Sequence, residues 1–510
     1  MRLTFSRAAI AALVLLMPPA QFALAQDQGA SSAPAASSAA SSAPADAASS
    51  SAPADTGASS APANDNGSSA PSSVEPSAAP PVPDQTDTGA GVGKPDKHPR
   101  TSQEIYQNLD FFGQVFDRIR AEYVDPPDEQ ALIRAAINGM LTSLDPHSNY
   151  MDPTEFDQSQ EDTSGQFGGL GIEVTMEEGV IKVVSPIDDT PAQKAGILPN
   201  DYIVELDGKS VQGLSIDDAV AKMKGPVGSK IKLTVIREGQ QKPLYFELTR
   251  ATIAQSVVKW SFEGDAQDVA VIRLSRFTEQ AFPGIQKAIK DIYDKRKGVA
   301  PKGIVLDMRN NPGGLVDQAV YVADAFLKQG AIVLTRGRTD SESSRYDAKP
   351  DDLDAKLASV PLVVLVNGGT ASAAEIVAGA LQDHKRATII GTRSFGKGSV
   401  QSIIHMGDNG GIRLTTARYY TPNNRSIQAA GIPPDIVITE NVPDDLKGRD
   451  EILGEAGLNG QIGGGTAPEA TTGSSVYVPQ DKKDDTQLNY AVRLIDGLET
   501  NAAYPPKADG

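Results

Sequence analysis

Between residues 257 and 440 short apolar runs alternate with helical patterns, and this alternation restricts the fold more than any other feature of the chain. The runs DVAVIRLSRF (268–277), KGIVLDMRNNPGG (302–314), AIVLTRGR (331–338), LVVLVNGG (362–369) and ATIIGT (387–392) are short and apolar at consecutive positions. Strands of that texture are covered on both faces. Helical patterns follow near residues 282–297, 316–327 and 371–384. A sheet with helices packed on it satisfies both, so the expected class is α/β over residues 251–440. Later, GIRLTTARYYTPNNRSIQAAGIPPDIVI alternates as paired strands do and then becomes turn-rich.

The remainder divides by texture. Residues 1–25 read as an export signal. Arg2 and Arg7 precede an apolar run over 8–17, Pro18 and Pro19 break it, and Ala23 and Ala25 offer the small residues that signal peptidase needs. That run falls well short of the roughly 20 residues that span a bilayer, so membrane association is expected to be peripheral at most. The expected compartment is the periplasm. Residues 26–100 are Ser, Ala, Pro, Gly and Asp with SSAPA repeated. Such a segment buries too little to offset its ordering entropy, which predicts a disordered tether with a reach of roughly 50 Å.

Residues 101–162 are helical in pattern, with Ile105, Leu109, Phe112, Val115, Phe116 and Ile119 at helical spacing and a second run over 129–144. LDPHSNYMDP (144–153) then interrupts with two prolines. His147 in that turn is expected to bond local backbone. Residues 441–510 are Gly- and Asp-rich, expected to be loose apart from one helix over 487–498 that docks back.

Composition removes several chemistries. The chain has no cysteine, which excludes disulfides, thiolate metal sites and a cysteine nucleophile. Four histidines (His98, His147, His384, His405) make a His-rich metal centre a poor fit, and neither metal nor cofactor is expected. A net charge of −18, without a long basic run, argues against a nucleic-acid partner.

The stretch that points to a reaction is NGGTASAAEIVAGALQDHKRATIIGTRSFGKGSVQ (367–401). Ser372 stands at the start of a predicted helix, Lys397 in a glycine-rich turn, and Gln401 on the strand that follows. A serine hydroxyl needs a base within hydrogen-bond reach. His384 is twelve residues along the same predicted helix, ~18 Å away at ~1.5 Å per residue. His405 falls at the far end of the next strand. Lysine serves if held neutral. Lowering its pKa from ~10.4 to about 7 requires about 4.6 kcal/mol of differential destabilisation of the ammonium, which burial supplies. Gln401 offers an uncharged partner for the amine.

Acyl transfer also needs oxyanion donors. Gly313, with Gly314 as the alternative, ends a buried strand in the turn NNPGG (310–314), and Ala373 is at the helix start where N–H groups lack partners. GTRSFGKG (391–398) begins like a phosphate-binding loop. However, Gly398 stands where Ser or Thr must bind magnesium, and a strand follows instead of a helix.

Residues 163–250 carry GLGI (169–172), SPIDDTPAQKAGI (185–197), DYIVELDG (201–208), a helix near 216–223 with an Ile216, Ala219, Val220, Met223 stripe, and SKIKLTVIRE (229–238). In this order they resemble a PDZ domain of bacterial protease type. The resemblance implies capture of a free C-terminus by strand addition, its carboxylate held by the loop Gly169, Leu170, Gly171 and Ile172. The same glycines lack the βαβ setting of a dinucleotide site.

LDPHS, the PDZ-like segment, DMRNNPGG, NGGTASAAE, GTRSFGKGSVQ and YYTPNNRSIQAAGIPPDI together resemble the carboxyl-terminal processing, or tail-specific, proteases over residues 101–440. What the resemblance implies is a ClpP/crotonase-like α/β core with an inserted PDZ domain and a helical N-terminal part. It also implies a Ser372–Lys397 dyad with Gln401, and oxyanion donors at Ala373 and the Gly313 region. The expected activity is cleavage of exported proteins near their C-termini, after recognition of apolar tails. Protein substrates bound by their tails are the expected partners, with room for an adaptor protein and no oligomeric state specified. The rival class, a non-catalytic PDZ scaffold, would be marked by loss of Ser372 or Lys397, and both are present.

Overall fold

The computed structural model describes residues 101–463 and 468–506, so the expected signal peptide and tether lie outside the described residues. The chain begins with helix α1 (Ser102–Glu122), started by a capping box in which Glu104 Oε2 accepts from the Thr101 N–H at 2.7 Å. The helical stripe is present, but none of its residues is buried. Helix α2 (Glu129–Thr142) is capped by Asp128, and α3 (Pro153–Ser164) by Asp152, with proline in its first turn and Gly165 at φ +66° closing it.

The PDZ segment is a sheet of antiparallel pairs in the order 172–177, 180–186, 202–206, 230–236, 244–249. Two short helices, α4 (Pro191–Lys194) and α5 (Ile216–Met223), complete it. Ala219 and Met223 of α5 are buried with Ile181, Ile203, Leu233 and Val235, while Ile172, Val174 and Val220 pack against that cluster. The strand Ile172–Glu177 is left at the sheet edge. Entry and exit of this insertion pair with each other, Gln166–Gly169 against Ala251–Ala254, so the module joins the rest through one two-stranded neck.

The core is a six-stranded sheet in the order 258–263, 269–274, 303–307, 362–366, 388–391, 436–437, parallel after its first pair. Its two central strands are buried throughout. Alternation sorts their side chains: Ile304, Leu306, Val364 and Val366 face one cluster, while Val305, Val363 and Leu365 face another. Helices α6 (Ala281–Lys295), α7 (Val316–Asp324), the short α8 (Asp352–Leu357) and α9 (Ala373–Asp383) contribute to the first. Helix α10 (Thr486–Asp496) covers the second with Leu488, Ala491, Val492 and Ile495.

The docking of the tail helix was expected, but other described parts of the tail are ordered against the core as well. Strands Glu451–Ile452 and Ser474–Ser475 pair, Gly368 N–H donates to Ser475 O at 2.9 Å, and Glu455 is fully buried. Buried Arg309 anchors α10, donating to both carboxylate oxygens of Asp485 at 2.8 and 2.7 Å and to Asp307 Oδ2 at 3.0 Å. These carboxylates raise its guanidinium above the ordinary range, against the opposing effect of burial. A second sheet in the order 149–151, 411–420, 330–336, 344–348, with Ser399–His405 also on 411–420, puts the segment after LDPHS and the strand that follows Lys397 on opposite edges of one strand.

Candidate active site

Ser372 ends the turn between strand 362–366 and α9, at φ +55° and ψ −118°, a backbone region that costs a non-glycine residue roughly 1–3 kcal/mol. The surroundings hold it there. Asn310 N–H donates to Asn367 Oδ1 at 2.8 Å, Asn367 Nδ2 to Asn310 Oδ1 at 2.9 Å, and Ala371 N–H to Asn311 O at 2.9 Å. The NNPGG turn is thus braced against the serine turn. A side chain at Gly313 would stand 2.7 Å from Ser372 Cβ, and one at Gly314 2.1 Å from Phe277 O, so both positions require glycine.

Glu375 organises the site. It is fully buried and accepts four hydrogen bonds, Oε1 from Ser394 Oγ (2.5 Å) and Gly396 N (2.7 Å), Oε2 from Ser372 N (2.8 Å) and Lys397 N (2.9 Å). The backbone N–H groups of Ser372 and Lys397 therefore converge on one oxygen. Burial pushes this carboxyl up to about 7, while the four donors hold it from rising further. Sequence reasoning passed over Glu375, although Ser-x-x-Glu before an apolar run is a capping signal that could have found it.

Lys397 is half-buried, and its amine makes no hydrogen bond or ion pair among the described residues. Burial is the first cause that holds it below the ordinary lysine range. Arg413 acts the same way, and Glu455, Glu375 and Asp145 oppose. Ser372, Lys397, Gln401, Gly313, Gly314 and Arg413 line one open cleft of about 780 Å³, with α3 as another wall.

Gln401 reaches the cleft but donates its amide to Ser399 Oγ (3.0 Å) and Thr415 Oγ1 (3.2 Å), not to Lys397. Gly313 spends its N–H on Asn311 Oδ1 at 2.9 Å, whereas the Gly314 N–H has no partner among the described residues. The histidines are elsewhere. His384 Nε2 meets Ala331 O at 2.6 Å, and His405 stacks on Phe156 with centroids 5.0 Å apart. His147 departs from expectation: its ring bonds Glu455 Oε2 at 2.9 Å, 308 residues away, rather than local backbone. In the PDZ loop, Leu170 turns into the core and Gly169 pairs with Ala251, while Gly171, at φ +75°, packs against Thr190 where a side chain would collide.

Residues 268–438 match Peptidase family S41, residues 168–248 match PDZ domain, and residues 84–155 match Activating protease CtpB N-terminal domain. A "Carboxy-terminal-processing protease" of Bartonella bacilliformis is 54% identical over 405 residues, covering 79% of this chain and 92% of that protein. The chain belongs to the carboxy-terminal processing proteases. Family members at greater distance include the "Carboxyl-terminal-processing protease" of Synechocystis, 35% identical over 67% of this chain and 79% of that protein. "Carboxy-terminal processing protease CtpB" of Bacillus subtilis is likewise 35% identical, over 67% of this chain and 71% of its own. As a carboxy-terminal processing protease, the chain is a serine peptidase with a PDZ domain and an α/β protease core.

Proposed function

We propose that this peptidase is exported and cleaves exported proteins near their C-termini, with Ser372 as nucleophile and neutral Lys397 as base. The observation that carries this is the shared Glu375 oxygen, 2.8 Å from Ser372 N and 2.9 Å from Lys397 N, which ties nucleophile and base segments together. The Ser372 proton passes to the Lys397 amine as Oγ attacks the scissile carbonyl. The oxyanion is received by the Ala373 N–H, unpaired by its place in the first helical turn, and by Gly314, whose N–H is uncommitted while that of Gly313 is held by Asn311. The lysine ammonium then protonates the leaving amine, and the neutral amine activates water to release the acyl group. Gln401 joins the amine by turning its amide away from Ser399 and Thr415.

The substrate arrives by its tail. The free edge of strand Ile172–Glu177, beside the apolar cluster that includes α5, suits an added strand with an apolar terminus, and the loop 169–172 suits its carboxylate. Residues 1–25 supply the export signal for a periplasmic location.

The test uses an unfolded protein ending in an apolar residue, and the same protein ending in aspartate. Wild type degrades the first faster, and Ser372→Ala and Lys397→Ala degrade neither. Full turnover by Lys397→Ala would refute the mechanism, and equal rates on both tails would refute the recognition.

A further inference from the structure

Glu455 belongs to the tail, beyond the residues matched to Peptidase family S41, yet it is fully buried against the lysine loop. Its N–H donates to Phe395 O at 3.0 Å. The preceding Gly454 lies so close that a side chain there would stand 2.3 Å from the same oxygen. Its carboxylate receives Gln428 Nε2 at 2.8 Å, and both of its oxygens meet His147 Nε2, at 3.0 and 2.9 Å. Gln428, also fully buried, accepts the Gly398 N–H with its Oε1 at 2.8 Å. The backbone is therefore gripped on both sides of Lys397, at the Phe395 carbonyl and at the Gly398 N–H.

The loop that supplies His147 reaches the other side of the cleft. Asp145 accepts from His147 N–H and Ser148 Oγ, each at 2.8 Å. Ser148 Oγ accepts from Thr415 N–H at 3.1 Å, and Thr415 Oγ1 accepts from Gln401. Segments around residues 147, 428 and 455 thus meet behind the lysine, while no side chain among the described residues bonds its amine.

We infer that His147, Gln428 and Glu455 form a positioning relay that fixes the Lys397 peptide and holds a buried carboxylate against its loop. The relay rests on Lys397 acting as the base. A simple staple of the fold would leave kcat untouched in variants that still fold. Four charged groups act on that amine, and Glu455 opposes its neutralisation more than Glu375 or Asp145, while Arg413 favours it.

The experiment measures kcat and KM against pH with the full chain and a fluorogenic peptide ending in an apolar residue. Ser372→Ala and Lys397→Ala are run first, since turnover in either refutes the dyad itself rather than the relay. With both inactive, Glu455→Gln should move the rising limb of kcat/KM to lower pH by about 0.5–1 unit, because an acidic neighbour is lost. His147→Ala should lower kcat about tenfold or more at little change in KM, the signature of misplacement, and His147→Gln should restore most of it by supplying a donor to Glu455. If Glu455→Gln does not fold, the two His147 variants decide. An unmoved limb with unchanged kcat in the folded variants overturns the relay, as does a lowered melting temperature with kcat and limb untouched.

Discussion

Glu375→Gln should separate the energetics of folding from those of catalysis. The carboxyl is fully buried, and its pKa stands at about 7 against an ordinary 4.5, a difference of 2.5. Because the folded value is raised, the folded chain binds more protons than the unfolded one between these limits. The stabilisation is fully present below about 4.5 and is lost as pH rises through about 7. At about 1.36 kcal/mol per unit, the loss is about 3 kcal/mol. Glutamine does not titrate, so urea unfolding at pH 4.5 and pH 8 should show the stability of the variant relative to wild type improving by about 3 kcal/mol on going to the higher pH.

Activity should move the other way. The amide keeps one acceptor oxygen and turns an NH₂ toward donors, so two of the four hydrogen bonds that Ser394, Gly396, Ser372 and Lys397 make are lost. Freed from the shared oxygen, nucleophile and base lose their register, and a displacement near 1 Å costs on the order of 100-fold in kcat. Steady-state assays at pH 8 should show that loss with KM changed little. A stability difference independent of pH would refute the burial argument, and wild-type kcat would refute the clasp.

Other substitutions probe separate parts. Lys397→Arg should be inactive at every pH up to 10 in a peptide-cleavage assay, since a guanidinium stays charged. For wild type, activity should rise with pH through a value below the ordinary lysine range, as the half-buried amine loses its proton. Gly314→Ala drives a methyl to 2.1 Å from Phe277 O at a φ of +141°, so peptide cleavage should fall by on the order of 100-fold while the PDZ segment still binds an apolar-tailed peptide in a fluorescence titration. Arg309→Met leaves Asp485 and Glu440 buried without their cation, with Asp307 still paired to Arg273, and should cost about 3–5 kcal/mol in urea unfolding; an unchanged midpoint would mean α10 is held by its apolar face alone.

What the sequence by itself determined is whatever depends on local pattern. Strands 303–307 and 362–366 announced themselves because burial on both faces leaves runs of consecutive apolar residues, and α5 and α10 because their apolar spacing matches one helical face. Ser372 and Lys397 stood out through the small residues and glycines around them, whereas Glu375 carried only a capping signal that says nothing of its burial or its four donors. Tertiary structure alone decided which groups meet. That Asn310 meets Asn367, that Glu375 takes the Lys397 N–H, and that His147 meets Glu455 all follow from the crossing of segments well separated in the chain. No local period records such meetings. A buried carboxylate such as Glu455 looks like any surface glutamate in sequence, and only the packing that removes water from it gives it a partner and a role.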